Sequence, residues 1–258
     1  MSWAFLVFIL IIGACWGSFI NAVGGRMLRR LSADNPDVYV EHGLALSHRS
    51  KCFNCQSLLG PTELIPLLSY LFQFGRSSCC DRPLPINYFV SEVLFSLAFL
   101  YLGIREISAT EFFSLIVLAS ALYLLCLADL HRMEVPIFLI IILWIISAIY
   151  CLVIKEESYL VYISSIIVAF TLLFLPGFLT SMIIKKPSLG IADPLVFSVL
   201  SPYFELWLLP YFMLLSSVIG IFWWILNKDR GKVPFLPSIV LAFTILYVAQ
   251  QAAIYGIT

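Results

Sequence analysis

Long uncharged or nearly uncharged stretches alternate with short polar ones along this chain. They cover residues 2–25, 83–104, 112–128, 135–154, 158–184 and 233–258, and within 83–104 the apolar run is broken only by Glu92. Each is near or above the roughly 17–25 residues that a helix needs to cross the hydrocarbon of a bilayer. The block 187–226 is about twice that length and carries Pro202 and Glu205 near its middle. It is expected to form two spans with a turn at 201–205, which gives eight transmembrane helices. The first stretch has no basic region before it and is too long for the apolar part of a cleaved signal, so it is expected to stay as a span.

Composition agrees. The chain has 258 residues, 62% hydrophobic and 12% charged, with mean hydropathy +1.01. Soluble globules run at about 45–50% apolar and about 25% charged. The fold class expected is an all-α polytopic membrane protein of about eight transmembrane helices, with a polar segment between the first and second. Net charge is zero, but its distribution is not even. Alternating spans place Arg26, Arg29, Arg30, Arg49, Lys51, Arg76, Arg82, Arg132, Lys185, Lys186, Lys228, Arg230 and Lys232 on one side, and only Arg105 and Lys155 on the other. Basic residues accumulate on the cytoplasmic side, so residues 26–82 are expected in the cytoplasm and both termini outside. The domains expected are 1–25 as first span, 26–82 as a cytoplasmic cysteine-containing domain and 83–258 as a seven-helix membrane domain.

This topology puts Asp129 at the end of the third span and Asp193 at the start of the sixth, both at the cytoplasmic face. Carboxylates beside apolar spans are costly and need a reason. A close pair has a chemical use, because one can hold a proton while the other stays ionised, and together they can activate water. Plainer readings stand beside this one. Asp129 could pair with His131 or Arg132, and Asp193, followed by Pro194, could simply cap a helix. Glu92 reads either as a hydrogen-bond partner for a neighbouring helix or as a group in a substrate channel.

The polar segment holds Cys52, Cys55, Cys79 and Cys80. A cytoplasmic disulfide is disfavoured, which leaves metal binding or reduced thiols. Zinc takes four ligands, commonly from two CxxC knuckles. Cys52-Phe-Asn-Cys55 is one knuckle, but Ser77-Ser-Cys-Cys80 is not an intact second one. Adjacent cysteines rarely share one zinc, and His48 is an alternative ligand. Cys126 and Cys151 read as small apolar fillers.

The motifs taken in order closely resemble the type IV prepilin peptidase family. Gly17-Ser-Phe-Ile-Asn21 with Arg26 is similar to the GSFxN…R that ends the family's first span. Ser50-Lys-Cys-Phe-Asn-Cys55 resembles its first knuckle, Glu63-Leu-Ile-Pro-Leu-Leu-Ser-Tyr70 its DxIPxxSY stretch, and Gly75-Arg76 leads to the second knuckle. Pro83, Leu84, Tyr88 and Glu92 follow. Asp129 falls on the first catalytic aspartate, and Gly190-Ile-Ala-Asp193 on GxGD. Departures are Ala192 for the second Gly of GxGD, Leu195 for a Lys, Ser77 for the third knuckle cysteine and Phe53 for a Pro.

The resemblance implies an intramembrane aspartyl endopeptidase of the bacterial inner membrane with Asp129 and Asp193 as its catalytic pair. The implied substrate is a type IV prepilin or pseudopilin, with the lipid bilayer as the other partner and no nucleic acid. Zinc on Cys52, Cys55, Cys79 and Cys80 is an implied structural cofactor. S-adenosylmethionine is a second, for N-methylation of the new terminus, although no glycine-rich nucleotide fingerprint is present. Asp34, Asp37, Glu41 and Glu63 are candidates for meeting a basic leader. Rival readings are an ion-coupled transporter using Asp129, Asp193 and Glu92, and a non-enzymatic zinc-bearing assembly platform.

Overall fold

The computed structural model describes residues 3–31, 50–52, 54–55, 57–105, 107–185, 189–226 and 233–254. The helices are α1 (Trp3–Leu31), α2 (Leu68–Phe72), α3 (Asn87–Ile104), α4 (Ala109–Arg132), α5 (Ile137–Ile149), α6 (Tyr159–Ile184), α7 (Ala192–Leu200), α8 (Leu209–Leu226) and α9 (Leu236–Ile254). Among the described residues, the only extended pairing is two isolated bridges, Lys51 with Leu58 and Arg76 with Pro83. Among the described residues, seven helices are long and apolar enough to cross a membrane: α1, α3, α4, α5 with its π-helical extension Tyr150–Ile154, α6, α8 with the preceding turn Leu206–Leu208, and α9.

One expected span differs. The block 187–226 does divide at 201–205, where a 3-10 turn, Ser201–Tyr203, follows α7. But α7 has only nine residues. At about 1.5 Å rise each it climbs about 14 Å, roughly half the hydrocarbon thickness. Pro202 ends the helix early, and length counted along the sequence did not reveal it.

The chain forms two compact units, Met1–Ser108 and Ala109–Thr258. In the first, α1 packs along α3. The contact is close because glycines line it: a Cβ on Gly13 would lie 2.7 Å from the Phe95 carbonyl oxygen, and one on Gly17 would lie 2.6 Å from that of Ser91. Small residues of this kind let membrane helices approach backbone to backbone. Ser96 Oγ adds a hydrogen bond to the Leu10 carbonyl at 3.1 Å.

In the second unit, prolines sit in the first turns of three helices, Pro194 in α7, Pro210 in α8 and Pro237 in α9, where no backbone donor is lost. The core is aromatic. Tyr203 is fully buried and stacks on Tyr150 with ring centroids 4.3 Å apart, while Phe197 stacks on Phe212 at 4.2 Å. Ser147 Oγ donates to the Val199 carbonyl at 2.8 Å and ties α5 to α7. The outer faces expose Phe113, Ile141, Ile167 and Val218, as helices solvated by lipid do.

Candidate active site

Asp129 lies in the last turn of α4 and is 7% exposed. Its carboxylate faces the N-terminus of α9, where Oδ2 accepts the Leu236 N–H at 3.1 Å. The first amides of a helix have no partner within it, and Pro237 offers none, so the Leu236 donor needs an outside acceptor. His131 and Arg132 are exposed, whereas the Asp129 carboxylate is buried and caps α9. Nothing local in the sequence points to Leu236.

Asp193 is the second residue of α7, not its cap, which is Ile191. Oδ2 turns back to accept the Gly190 N–H at 3.2 Å, and the Asp193 N–H donates to the Gly190 carbonyl at 3.2 Å. A Cβ on Gly190 would stand 3.2 Å from that same carboxylate oxygen. The glycine therefore leaves the room in which the acid sits. Asp193 thus lies in the first turn of its own helix, and the Asp129 carboxylate reaches the N-terminus of α9, so both carboxylates face helix N-termini, where the partial positive charge of the backbone gathers.

The second unit brings the two together: Asp129 and Asp193 are close enough for their charges to interact. The far end of α7 marks the other pole of the unit, where Lys155 Nζ donates to the Pro202 carbonyl at 3.3 Å. Lys155 and Pro202 thus meet beyond the end of α7 that lies away from Asp193.

In the first unit, two tight turns carry the cysteines. The Cys52 N–H donates to the Ser57 carbonyl at 2.8 Å, and the Ser77 N–H to that of Arg82 at 2.9 Å. The four thiol sulfurs of Cys52, Cys55, Cys79 and Cys80 all lie within 4.8 Å of one another, and none forms a disulfide. The adjacent pair Cys79 and Cys80 therefore enters one cluster with Cys52 and Cys55. Ser77 stays inside the cluster, with Oγ 3.2 Å from Cys52 Sγ and 3.0 Å from Cys79 Sγ. His48, the other ligand considered, lies outside the described residues.

The donor set fits a soft divalent metal. Bonds of about 2.3 Å in a tetrahedron put sulfurs about 3.8 Å apart. Cys52 and Cys80 are 3.9 Å apart, and Cys55 and Cys79 are 3.1 Å apart, so the second pair would open slightly. Burial pushes the Cys52 thiol up, but hydrogen bonds from the Cys55 and Asn54 backbones and from the Ser77 and Cys79 side chains outweigh it and bring it down to about 6. That is the anionic form a metal needs.

Of the acidic groups considered for a leader, Glu63 is already engaged. Its carboxylate accepts the Gly60 N–H at 2.6 Å and the Ser78 hydroxyl, which braces the cysteine turns. Asp34, Asp37 and Glu41 lie outside the described residues.

Two family models match the chain. Residues 11–105 match the bacterial peptidase A24 N-terminal domain, and residues 116–225, which include both aspartates, match the type IV leader peptidase family. A prepilin leader peptidase/N-methyltransferase of Vibrio cholerae is 26% identical over 96% of this chain and 98% of its own length. A protein of the same name from Bacillus subtilis is 33% identical over 51% of this chain and 48% of its own. A type 4 prepilin-like proteins leader peptide-processing enzyme of Escherichia coli is 29% identical over 89% of this chain and 88% of its own. No solved structure matches significantly. With two acids within reach of each other's charge and both halves of the chain matched, the chain belongs to the type IV leader peptidase family.

Proposed function

We propose that this chain is a multi-pass inner-membrane aspartyl endopeptidase that removes the basic leader from a type IV prepilin or pseudopilin. The observation that carries this reading is the approach of Asp129 and Asp193 to within reach of each other's charge. The ionised carboxylate takes a proton from a water held between them, and that water adds to the scissile carbonyl carbon. The protonated carboxyl donates to the carbonyl oxygen. The proton gained by the first acid then passes to the leaving amine as the C–N bond breaks. Two acids so placed titrate as a pair and not as independent groups.

The site faces the cytoplasm, with the cysteine-containing segment on the same side and the termini opposite. The basic leader stays in the cytoplasm and the apolar prepilin helix lies in the bilayer, which brings the scissile bond to the level of the aspartates. The cysteine cluster holds structural zinc. The relatives' second named activity extends the proposal to methylation of the new N-terminus, with S-adenosylmethionine as donor.

The test is mass spectrometry of a prepilin incubated with the purified protein and S-adenosylmethionine. Loss of the leader supports the peptidase, and gain of one methyl group on the mature product supports the transferase. An intact prepilin that nonetheless binds the protein would favour the assembly-platform reading.

A further inference from the structure

Between the two cysteine turns, the 3-10 turn Pro61–Leu64 and α2 leave Leu64, Ile65, Leu68, Leu71, Phe72 and Phe74 exposed. Phe72 is 77% and Phe74 91% exposed. A contiguous apolar patch of this kind on a polar segment marks an interaction surface.

Its position says with what. The Leu67 N–H donates to Glu92 Oε2 at 2.6 Å, and the Tyr70 ring stacks on Phe89 with centroids 5.2 Å apart. Phe89 and Glu92 are the third and sixth residues of α3. At about 1.5 Å per residue, Glu92 lies about 8 Å along the axis from the helix start. The segment therefore runs beside the first turns of a membrane span instead of beyond its end. Glu92 itself is 6% exposed, so its bond to Leu67 is an internal strut. It holds Leu67 at φ 63 and ψ -51, a positive-φ backbone that a leucine avoids without such support.

The patch is continuous in level with the outer faces of α1 and α3, where Phe19, Val90 and Leu94 are exposed as a lipid-facing surface is. The turn that follows it carries exposed Arg76 and Arg82; Arg76 is paired with Asp81 at 3.4 Å, and Arg82 is a cation suited to anionic phosphate headgroups.

We infer that residues 61–75 form an interfacial anchor. Leu68, Leu71, Phe72 and Phe74 enter the boundary between headgroups and acyl chains of a phospholipid bilayer, and the Glu92–Leu67 bond sets their depth. An apolar face lying in that plane with basic residues at its edge is how a protein rests on a membrane without spanning it. The anchor fixes the cysteine turns on either side of it at the membrane surface.

The experiment places the photo-crosslinker p-benzoylphenylalanine at Phe72, at Phe74 and, as control, at Asp81. The full chain is reconstituted in vesicles of phosphatidylethanolamine and phosphatidylglycerol with no prepilin present. After irradiation, mass spectrometry reads covalent phospholipid adducts. Adducts at Phe72 and Phe74 with few at Asp81 are expected. No lipid adduct at either phenylalanine, equal labelling at Asp81, or adducts that form only with an added prepilin would overturn the anchor. Glu92→Gln, which keeps an acceptor for Leu67, should retain the labelling, while Glu92→Ala should lower it several-fold. Unchanged labelling in Glu92→Ala would remove Glu92 as the depth-setting strut.

Discussion

The Leu236 N–H and the Asp129 carboxylate meet at 3.1 Å across 107 positions of sequence. One side chain is thus both the cap of α9 and a candidate catalytic acid. The two roles separate by substitution. Asp129→Asn keeps an oxygen for Leu236 but cannot exchange a proton, so cleavage should fall by about three orders of magnitude or more, while thermal unfolding in detergent stays near wild type. Asp129→Ala should lose cleavage and also the cap, at about 1 kcal/mol of stability. Substantial processing by Asp129→Asn or by Asp193→Asn would reject the acid pair.

Gly190→Ala tests how tightly Asp193 is placed. The added Cβ would stand 3.2 Å from Oδ2, so the carboxylate must shift by a few tenths of an ångström or more. Misplacing a reacting group by an ångström costs up to about a hundredfold. A fall in prepilin cleavage of about tenfold to a hundredfold is expected, with the protein inserted normally. Wild-type rates in this variant would show that the glycine does not set the acid's position.

Much of this was legible in the sequence for one physical reason: a bilayer core demands about twenty apolar residues per span, so six spans stand out as separate runs. The expected side of the membrane rests on Lys and Arg alone. What was not legible has physical causes too. The shortness of α7 is hidden because its apolar block merges with that of α8. The Leu236 donor is a backbone group, invisible to any motif. The shared cluster of Cys79 and Cys80 depends on a turn, closed by the Asp81 N–H bonding to the Ser77 carbonyl at 2.8 Å, that lets neighbouring thiols converge. The apolar patch at 61–75 is too short to register as a span, and only the contact with Glu92 reveals its level.

The α1–α3 contact offers a stability test with an internal control. Gly17→Ala would put its Cβ 2.6 Å from the Ser91 carbonyl oxygen and 2.9 Å from the Glu92 Cα, both backbone atoms that cannot rotate away. Separation of the helices should cost about 1–3 kcal/mol, seen as a lowered unfolding temperature in detergent. Gly25, on the same helix, has nothing within 4 Å of an added Cβ. Gly25→Ala should therefore leave the unfolding temperature unchanged or raise it by up to about 1 kcal/mol in stability. Equal effects of the two variants would mean that close packing at Gly17 is not what holds the helices.

The cysteine cluster gives a prediction in pH. Burial alone would raise the Cys52 thiol, but the hydrogen bonds around it bring it down to about 6 from an ordinary value of 9.0. A depressed acid contributes stability that is fully present above its unfolded value and is lost as pH falls through its folded one. Metal competes with protons for the same thiolate. Bound zinc, measured by elemental mass spectrometry after equilibration with a weak chelator, should therefore hold at about pH 8 and fall off below about pH 6. Cys52→Ser should lower zinc content at every pH while leaving leader cleavage less affected, because the acid pair belongs to α4 and α7 and not to the cysteine turns. Zinc retained unchanged at about pH 5 would mean that protonation of Cys52 does not govern the site, and wild-type protein purified without zinc would remove the metal from the account altogether.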